Sequence, residues 1–122
     1  MTILEAITLA DARRHNPYPQ EEKIRWLSEL DGKIRLLVLD ACEHTEKPFP
    51  GYDRDTDPNR VLLVDKPFEE LYLYWLESRI CYADGEMEDY NSAITQYNRL
   101  YEAYTAAYRR SHMPRGGRRF LF

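Results

Sequence analysis

From residue 76 to residue 108 the chain carries an apolar or aromatic side chain at alternating steps of four and three: Leu76, Ile80, Ala83, Met87, Tyr90, Ile94, Tyr97, Tyr101, Tyr104 and Tyr108. A stripe of that period lies along one side of an α-helix and does not fit a strand, whose faces alternate every second residue. It passes through Asp84-Gly85 in phase, and Glu86 is a poor N-cap for a new helix. The stripe therefore favours one long, kinked helix from about 67 to 110 over two helices broken at Gly85. At 1.5 Å per residue its length is ~65 Å. A helix of that length outruns the core a 122-residue chain can build, so its end would need a partner chain.

The remaining segments read as shorter helices around one loop. Thr2 followed by Glu5 fits a capping box, and Ile3, Ile7 and Ala10 give the first helix its apolar stripe, which Asn16-Pro17-Tyr18-Pro19 ends. A second helix starts near Pro19, with Glu21 and Glu22 where the helix dipole favours acids. Its stripe is Leu27, Leu30, Ile34, Leu37 and Ala41, widened by Trp26 and Val38. Gly32 interrupts this helix, at a cost of about 1 kcal/mol relative to Ala, and would admit another backbone or a bulky ring. Residues 44–60 are rich in Pro, Gly, Asp and Asn and read as a long loop, a type that is more often functional or ordered by a partner. Val61–Val64 is a short strand or an extended segment packed over the bundle; with no second strand in sight it would pair only with another subunit's edge or with its own loop. The expected fold is all-α: a helical bundle with a long C-terminal helix or helical hairpin, one long loop and at most one short extended segment. Residues 1–114 form the single domain, and residues 115–122 a flexible basic tail.

Composition supports helices. Leu and Ala outnumber Val and Ile. The longest apolar runs are far too short to span a bilayer, and the N-terminus lacks the basic and apolar regions of a signal peptide. The two cysteines, Cys42 and Cys81, read as reduced. Charge is unevenly spread. All 21 acidic residues lie in 1–108 beside 12 of the 17 basic ones, a balance of −9, whereas the last 14 residues hold five arginines and no acid. The body would repel nucleic acid, while the tail suits a phosphate or an acidic protein surface.

Reactive chemistry is thinly represented. Asp53, Asp55 and Asp57 have the spacing that opens a calcium loop, but Pro58 stands where that loop needs Gly and Val64 where it needs Glu. Cys42 and His44 make only one of the two close pairs that a zinc site uses. No nucleophile elbow, phosphate loop, paired-Cys redox motif or di-iron Glu-x-x-His set is found. The reading is of a non-enzyme without cofactor or metal. The tyrosines are the most distinctive feature, because a buried stripe of Tyr must find partners for its hydroxyls where Leu would not. Tyr, Trp and Arg are also the residues enriched at interface anchors. The candidate contact residues are Trp26, Tyr90, Tyr97, Tyr101, Tyr104 and Tyr108, for packing or subunit contacts, and Arg109, Arg110, Arg115, Arg118, Arg119, Phe120 and Phe122, for docking.

Three segments carry a family resemblance. They are Glu21 to Ile34, with Trp26-Leu27-Ser28-Glu29-Leu30-Asp31-Gly32 at its centre; Pro67-Phe68-Glu69-Glu70-Leu71-Tyr72-Leu73-Tyr74; and Tyr82-Ala83-Asp84-Gly85-Glu86 through Tyr90-Asn91-Ser92 to Tyr108-Arg109-Arg110-Ser111-His112-Met113-Pro114. In this order they resemble the small head–tail connector (adaptor, or head-completion) proteins of long-tailed phages and prophages. The resemblance implies a structural, non-catalytic role. Such adaptors join the portal vertex as a ring, extend its DNA channel without binding the DNA specifically, and present a surface to the next neck or tail component. It also implies the host cytoplasm during assembly, the virion neck afterwards, and no membrane. Pro19 stands where a Ser cap is usual in that family, and the segment 115–122 has no counterpart in it. An acidic body suits a channel subunit, since adhesive phosphate contacts would stall a passing duplex. The alternatives are a helical interaction module or regulator without enzymatic activity, and a nucleic-acid binder acting through the arginine tail.

Overall fold

A computed structural model describes residues 1–42 and 48–112. Among these the chain is all-α. Helix α1 spans Ile3–Arg13 and α2 spans Gln20–Ile34; α2 continues without a break through a π-helical turn, Arg35–Leu39, and a last helical turn, Asp40–Cys42. Helix α3 spans Leu71–Asp84 and α4 spans Met87–His112. α3 is the central element and touches α1, α2 and α4. Its Leu71, Tyr72, Leu76 and Ile80 are wholly buried, each contributing about 1.5–3 kcal/mol of hydrophobic stabilisation.

The N-terminal capping box forms as its sequence predicts. The Thr2 hydroxyl accepts the Glu5 N–H at 3.1 Å, and the Glu5 carboxylate accepts the Thr2 N–H at 2.9 Å. Ile3, Ile7 and Ala10 are buried, joined by Ala6. Helix α2 starts directly after Pro19.

The expected single helix from 67 to 110 is a hairpin. Gly85 adopts φ +76°, and the two bonds of a Schellman motif form around it: Gly85 N–H donates to the Tyr82 carbonyl at 3.2 Å and Glu86 N–H to the Cys81 carbonyl at 3.0 Å. Satisfying the last carbonyls of α3 in this way removes the need for a strong N-cap after Gly85, because the turn is closed from the C-terminal side. The heptad stripe persisted across the break because two antiparallel helices each need an apolar face, and the short link happens to keep the phase. The hairpin turn is tied to the first helix and its following linker. Arg14 pairs with Glu86 at 2.6 Å and Asp89 at 3.2 Å, and the Tyr18 hydroxyl donates to Asp84 at 2.6 Å. The start of α3 also lies later than Pro67: residues 65–71 make tight three-residue-step turns before helix begins at Leu71.

The second correction concerns the α2 stripe. Leu27, Leu30 and Ile34 are buried, but Leu37 is 48% exposed, and the position facing the core is Val38. The π turn supplies the reason: its extra residue delays rotation, so the inward position moves from i+3 to i+4 after Ile34.

The third concerns the pairing of Val61–Val64, which packs over the bundle as an extended segment but whose backbone partner is the N-terminus rather than its own loop. It lies antiparallel to the N-terminal residues, with Ile3 N–H donating to the Arg60 carbonyl at 3.0 Å and Leu62 N–H to the Met1 carbonyl at 2.9 Å. Leu62 and Val64 point inward and Val61 outward, the alternation of an extended segment.

The stretch from 48 to 64 is fastened to the bundle by one carboxylate. Asp31 on α2 has no exposed surface. Its Oδ1 accepts the Tyr72 hydroxyl at 2.6 Å, and its Oδ2 accepts the Tyr52 hydroxyl at 2.6 Å and the Leu63 N–H at 3.1 Å. Tyr52 N–H donates to Ser28 Oγ at 2.9 Å, and the Phe49 ring packs on Tyr52 and over Gly32. A loop expected to await a partner is thus held over its described residues by the chain's own groups. Gly32 does admit a ring, as its position in the helix suggested.

Candidate interaction surface

The candidate contact residues divide by burial. Trp26, Tyr97 and Tyr104 are 8%, 2% and 5% exposed and belong to the chain's own core, so they serve packing rather than surface contact. Trp26 meets the Tyr18 ring edge-on, and its carbonyl accepts the Trp75 indole N–H at 2.9 Å. Tyr104 packs edge-on against Phe68. Tyr90, Tyr101 and Tyr108 are half-buried, and Arg109 and Arg110 are exposed on the last turns of α4. Arg115, Arg118, Arg119, Phe120 and Phe122, with the boundary drawn at residue 114, lie outside the described residues.

Of the half-buried tyrosines, Tyr90 and Tyr101 belong to a continuous strip of rings and cations running along the α3–α4 hairpin onto α2, whereas Tyr108 packs on Tyr104 and His112. At one end Tyr82 and Tyr90 face each other across the hairpin, 5.5 Å between centroids. The Arg79 guanidinium lies against both, at 5.6 and 5.7 Å, and over Trp75 at 4.6 Å. Trp75 meets Tyr97 at 5.2 Å, and Tyr97 stacks on Tyr101 at 5.8 Å. Lys33 from α2 closes the strip, its Nζ 4.7 Å from the Tyr101 centroid and 6.0 Å from that of Tyr97. The spacing explains the local order. Trp75, Arg79 and Tyr82 are four and three residues apart on α3, and Tyr90, Tyr97 and Tyr101 are seven and four apart on α4, so each set shares a helix face.

Electrostatically the strip is unfinished. Several cations of the bundle are matched: Arg13 with Glu70, Arg14 with Glu86 and Asp89, Lys23 with Asp11, Arg25 with Glu22, Arg35 with Asp40. Arg79 and Lys33 have no carboxylate partner among the described residues. Among the described residues Arg79 makes one polar contact, from Nη2 to the Tyr90 hydroxyl at 3.5 Å, the outer edge of hydrogen bonding. Two buried side-chain polar atoms lack a partner among the described residues, Arg79 Nε and Tyr97 Oη, and both residues border Trp75. Burial pushes the Tyr97 phenol well above its ordinary value, with the nearby Tyr101 adding to the shift and Arg79 opposing it. Burial likewise raises Tyr101, and Arg109 opposes it.

Elsewhere the described residues line open hollows. One of about 500 Å³ lies between the first turn of α2 and the acidic loop, lined by Glu21, Glu22, Arg25, Asp53, Arg54 and Asp55 among others. Another of about 430 Å³ lies beside the end of α4, between Leu39, Leu63, Phe68, Tyr104 and Tyr108. Among the described residues no three His, Cys, Asp or Glu gather as a metal-ligand set, and no helix is long and apolar enough to cross a membrane.

Residue-type reasoning found the tyrosines but missed Arg79, Lys33 and Asp31. Arg79 was within reach of the sequence, since it stands four residues after Trp75 and three before Tyr82. Lys33 and Asp31 carry no such local mark, because their partners come from distant segments. The chain matches no family model, no curated protein and no solved structure.

Proposed function

We propose that this chain is a structural adaptor of the neck of a long-tailed phage or prophage, joining the portal to the next neck or tail component as one subunit of a ring around the DNA channel. The observation that supports the reading is the strip along the α3–α4 hairpin. Trp, Tyr and Arg anchors stand on rigid helices with two cations left without carboxylates, which is the chemistry of a protein–protein contact. The three segments that resemble connector proteins build the same framework: Glu21–Ile34 is most of α2, residues 67–74 lead into α3, and residues 82–112 form the hairpin turn and α4. The net acidic body fits a part past which DNA slides rather than one that grips it.

The test is capture of the purified chain by portal protein encoded beside it. Salt-sensitive capture, weakened when Arg79 or Lys33 is reversed in charge, supports the adaptor. Failure of capture, with recovery of a regulatory partner on the same strip, would move the chain to the interaction-module reading.

A further inference from the structure

The strip carries two cations, Arg79 and Lys33, without a carboxylate beside them among the described residues, and the chain carries a group of carboxylates on another face. Asp53, Asp55 and Asp57 are exposed in a turn fixed by its own hydrogen bonds: Thr56 N–H donates to the Asp53 carbonyl at 3.1 Å, Asp55 N–H to Asp53 Oδ1 at 2.8 Å, and Asn59 N–H to Asp57 Oδ1 at 2.9 Å. None of the three pairs with a cation among the described residues, and Asp53 and Asp55 edge the open hollow at the start of α2. The turn is therefore preorganised and leaves carboxylate oxygens unused, which lowers the entropy cost of contact.

The turn cannot reach its own strip. It is carried on the Ser28 and Gly32 side of α2, through Tyr52 and Phe49, whereas Lys33 points to Tyr97 and Tyr101 about 100° further round the helix. Two complementary patches on different faces of one chain match each other between copies, head to tail.

We infer that the Asp53–Asp57 turn of one copy docks on the Lys33–Arg79 aromatic strip of the next. The carboxylates would take charge-assisted hydrogen bonds from the guanidinium and ammonium, with the flanking rings excluding water and holding both cations in place. The contact is heterologous, so successive copies close into a ring or continue as a filament according to the rotation between them. This deepens the adaptor reading and rests on it for a biological setting, but the contact itself needs only this chain.

The test uses the full chain and two surface variants, Lys33→Glu and Asp55→Lys, at exposed positions where folding is checked by circular dichroism. Sedimentation velocity is run from low concentration to ~0.1 mM and above at low and high salt. The expected result is salt-sensitive association of the wild type, weakened about tenfold or more in each variant. An equimolar mixture of the two variants associates again, because the intact turn of one meets the intact strip of the other. Arg79→Lys, which keeps charge but loses the planar fork, should also weaken association. A wild type that stays monomeric, a mixture that stays monomeric, or variants that associate like the wild type would overturn the inference. So would binding of a single-stranded oligonucleotide that Lys33→Glu abolishes while association is untouched. A monomeric wild type still captured by portal protein overturns this contact and leaves the adaptor reading standing; association that survives while capture fails does the reverse.

Discussion

The Tyr72 hydroxyl donates to Asp31 Oδ1 at 2.6 Å while accepting the Val64 N–H at 2.8 Å, so one phenol on the central helix joins the second helix to the extended segment. Removing it leaves a buried carboxylate oxygen and a buried amide without their partner. Tyr72→Phe should cost about 2–4 kcal/mol in urea unfolding. Tyr97 is equally buried, but its hydroxyl has no partner among the described residues. Tyr97→Phe should be neutral or stabilising by up to about 1 kcal/mol, since it removes a buried polar group that gains nothing. Equal costs for the two variants would contradict the hydrogen-bond assignment.

Asp31 gives a pH dependence of definite sign. Burial raises its pKa above the ordinary 3.8, and the donors Tyr52, Tyr72 and Leu63 only partly offset this. A carboxyl whose folded pKa is raised binds its proton more tightly in the native state. Its stabilising contribution is therefore whole below the ordinary value and lost as pH rises through the raised one. Asp31→Asn cannot ionise. Its stability relative to wild type should shift in favour of the variant as pH rises above about 4, whatever constant offset the amide's changed hydrogen bonding adds. A shift the other way in parallel urea titrations would show that the three donors outweigh burial.

The phenols predict the alkaline limb. Burial raises Tyr52, Tyr72, Tyr97 and Tyr104 well above 10, and for Tyr52 and Tyr72 the Asp31 charge adds to it. Near pH 10 the unfolded chain loses protons that the folded chain keeps, so stability falls as pH climbs past that value. In a phenolate absorbance titration, these four of the ten tyrosines should ionise only with unfolding. A single smooth titration of all ten in the folded protein would contradict their burial.

Two glycines should respond oppositely to Ala. At Gly85 the backbone sits at φ +76° with nothing within 4 Å of an added Cβ, so Gly85→Ala meets only conformational strain, about 1–2 kcal/mol. At Gly32 an added Cβ meets the Phe49 ring at 3.8 Å, an ordinary contact, and gains helix propensity, so Gly32→Ala should stabilise by up to about 1 kcal/mol. Thermal unfolding of the pair distinguishes a turn that needs glycine from a helix position that merely contains one.

The helices were legible where a rule acts over a few residues. Thr2 and Glu5 marked their capping box, Pro19 marked the start of α2, and the four-three steps marked α3 and α4. The hairpin stood second to a single helix because Gly85 breaks the helix through backbone conformation, while the apolar phase on each side is set by packing and happens to agree. Leu37 and Val38 exchanged places because a π turn is invisible to a fixed period. Asp31 was read past because an acid inside an apolar stripe acquires its meaning only from Tyr52, Leu63 and Tyr72, which lie 21, 32 and 41 positions away. The tyrosines of α4 were visible by type. Which of them pack inward, as Tyr97 and Tyr104 do, depends on the tertiary rotation of α4 against α3.

Electron microscopy of this chain mixed with the portal protein of the proposed neck tests the adaptor reading most directly. The account predicts an added ring of density coaxial with the portal channel, with the α3–α4 strip of each subunit buried against a neighbour. A bare portal vertex, or bound subunits whose Arg79 and Lys33 all face open solvent, would contradict it.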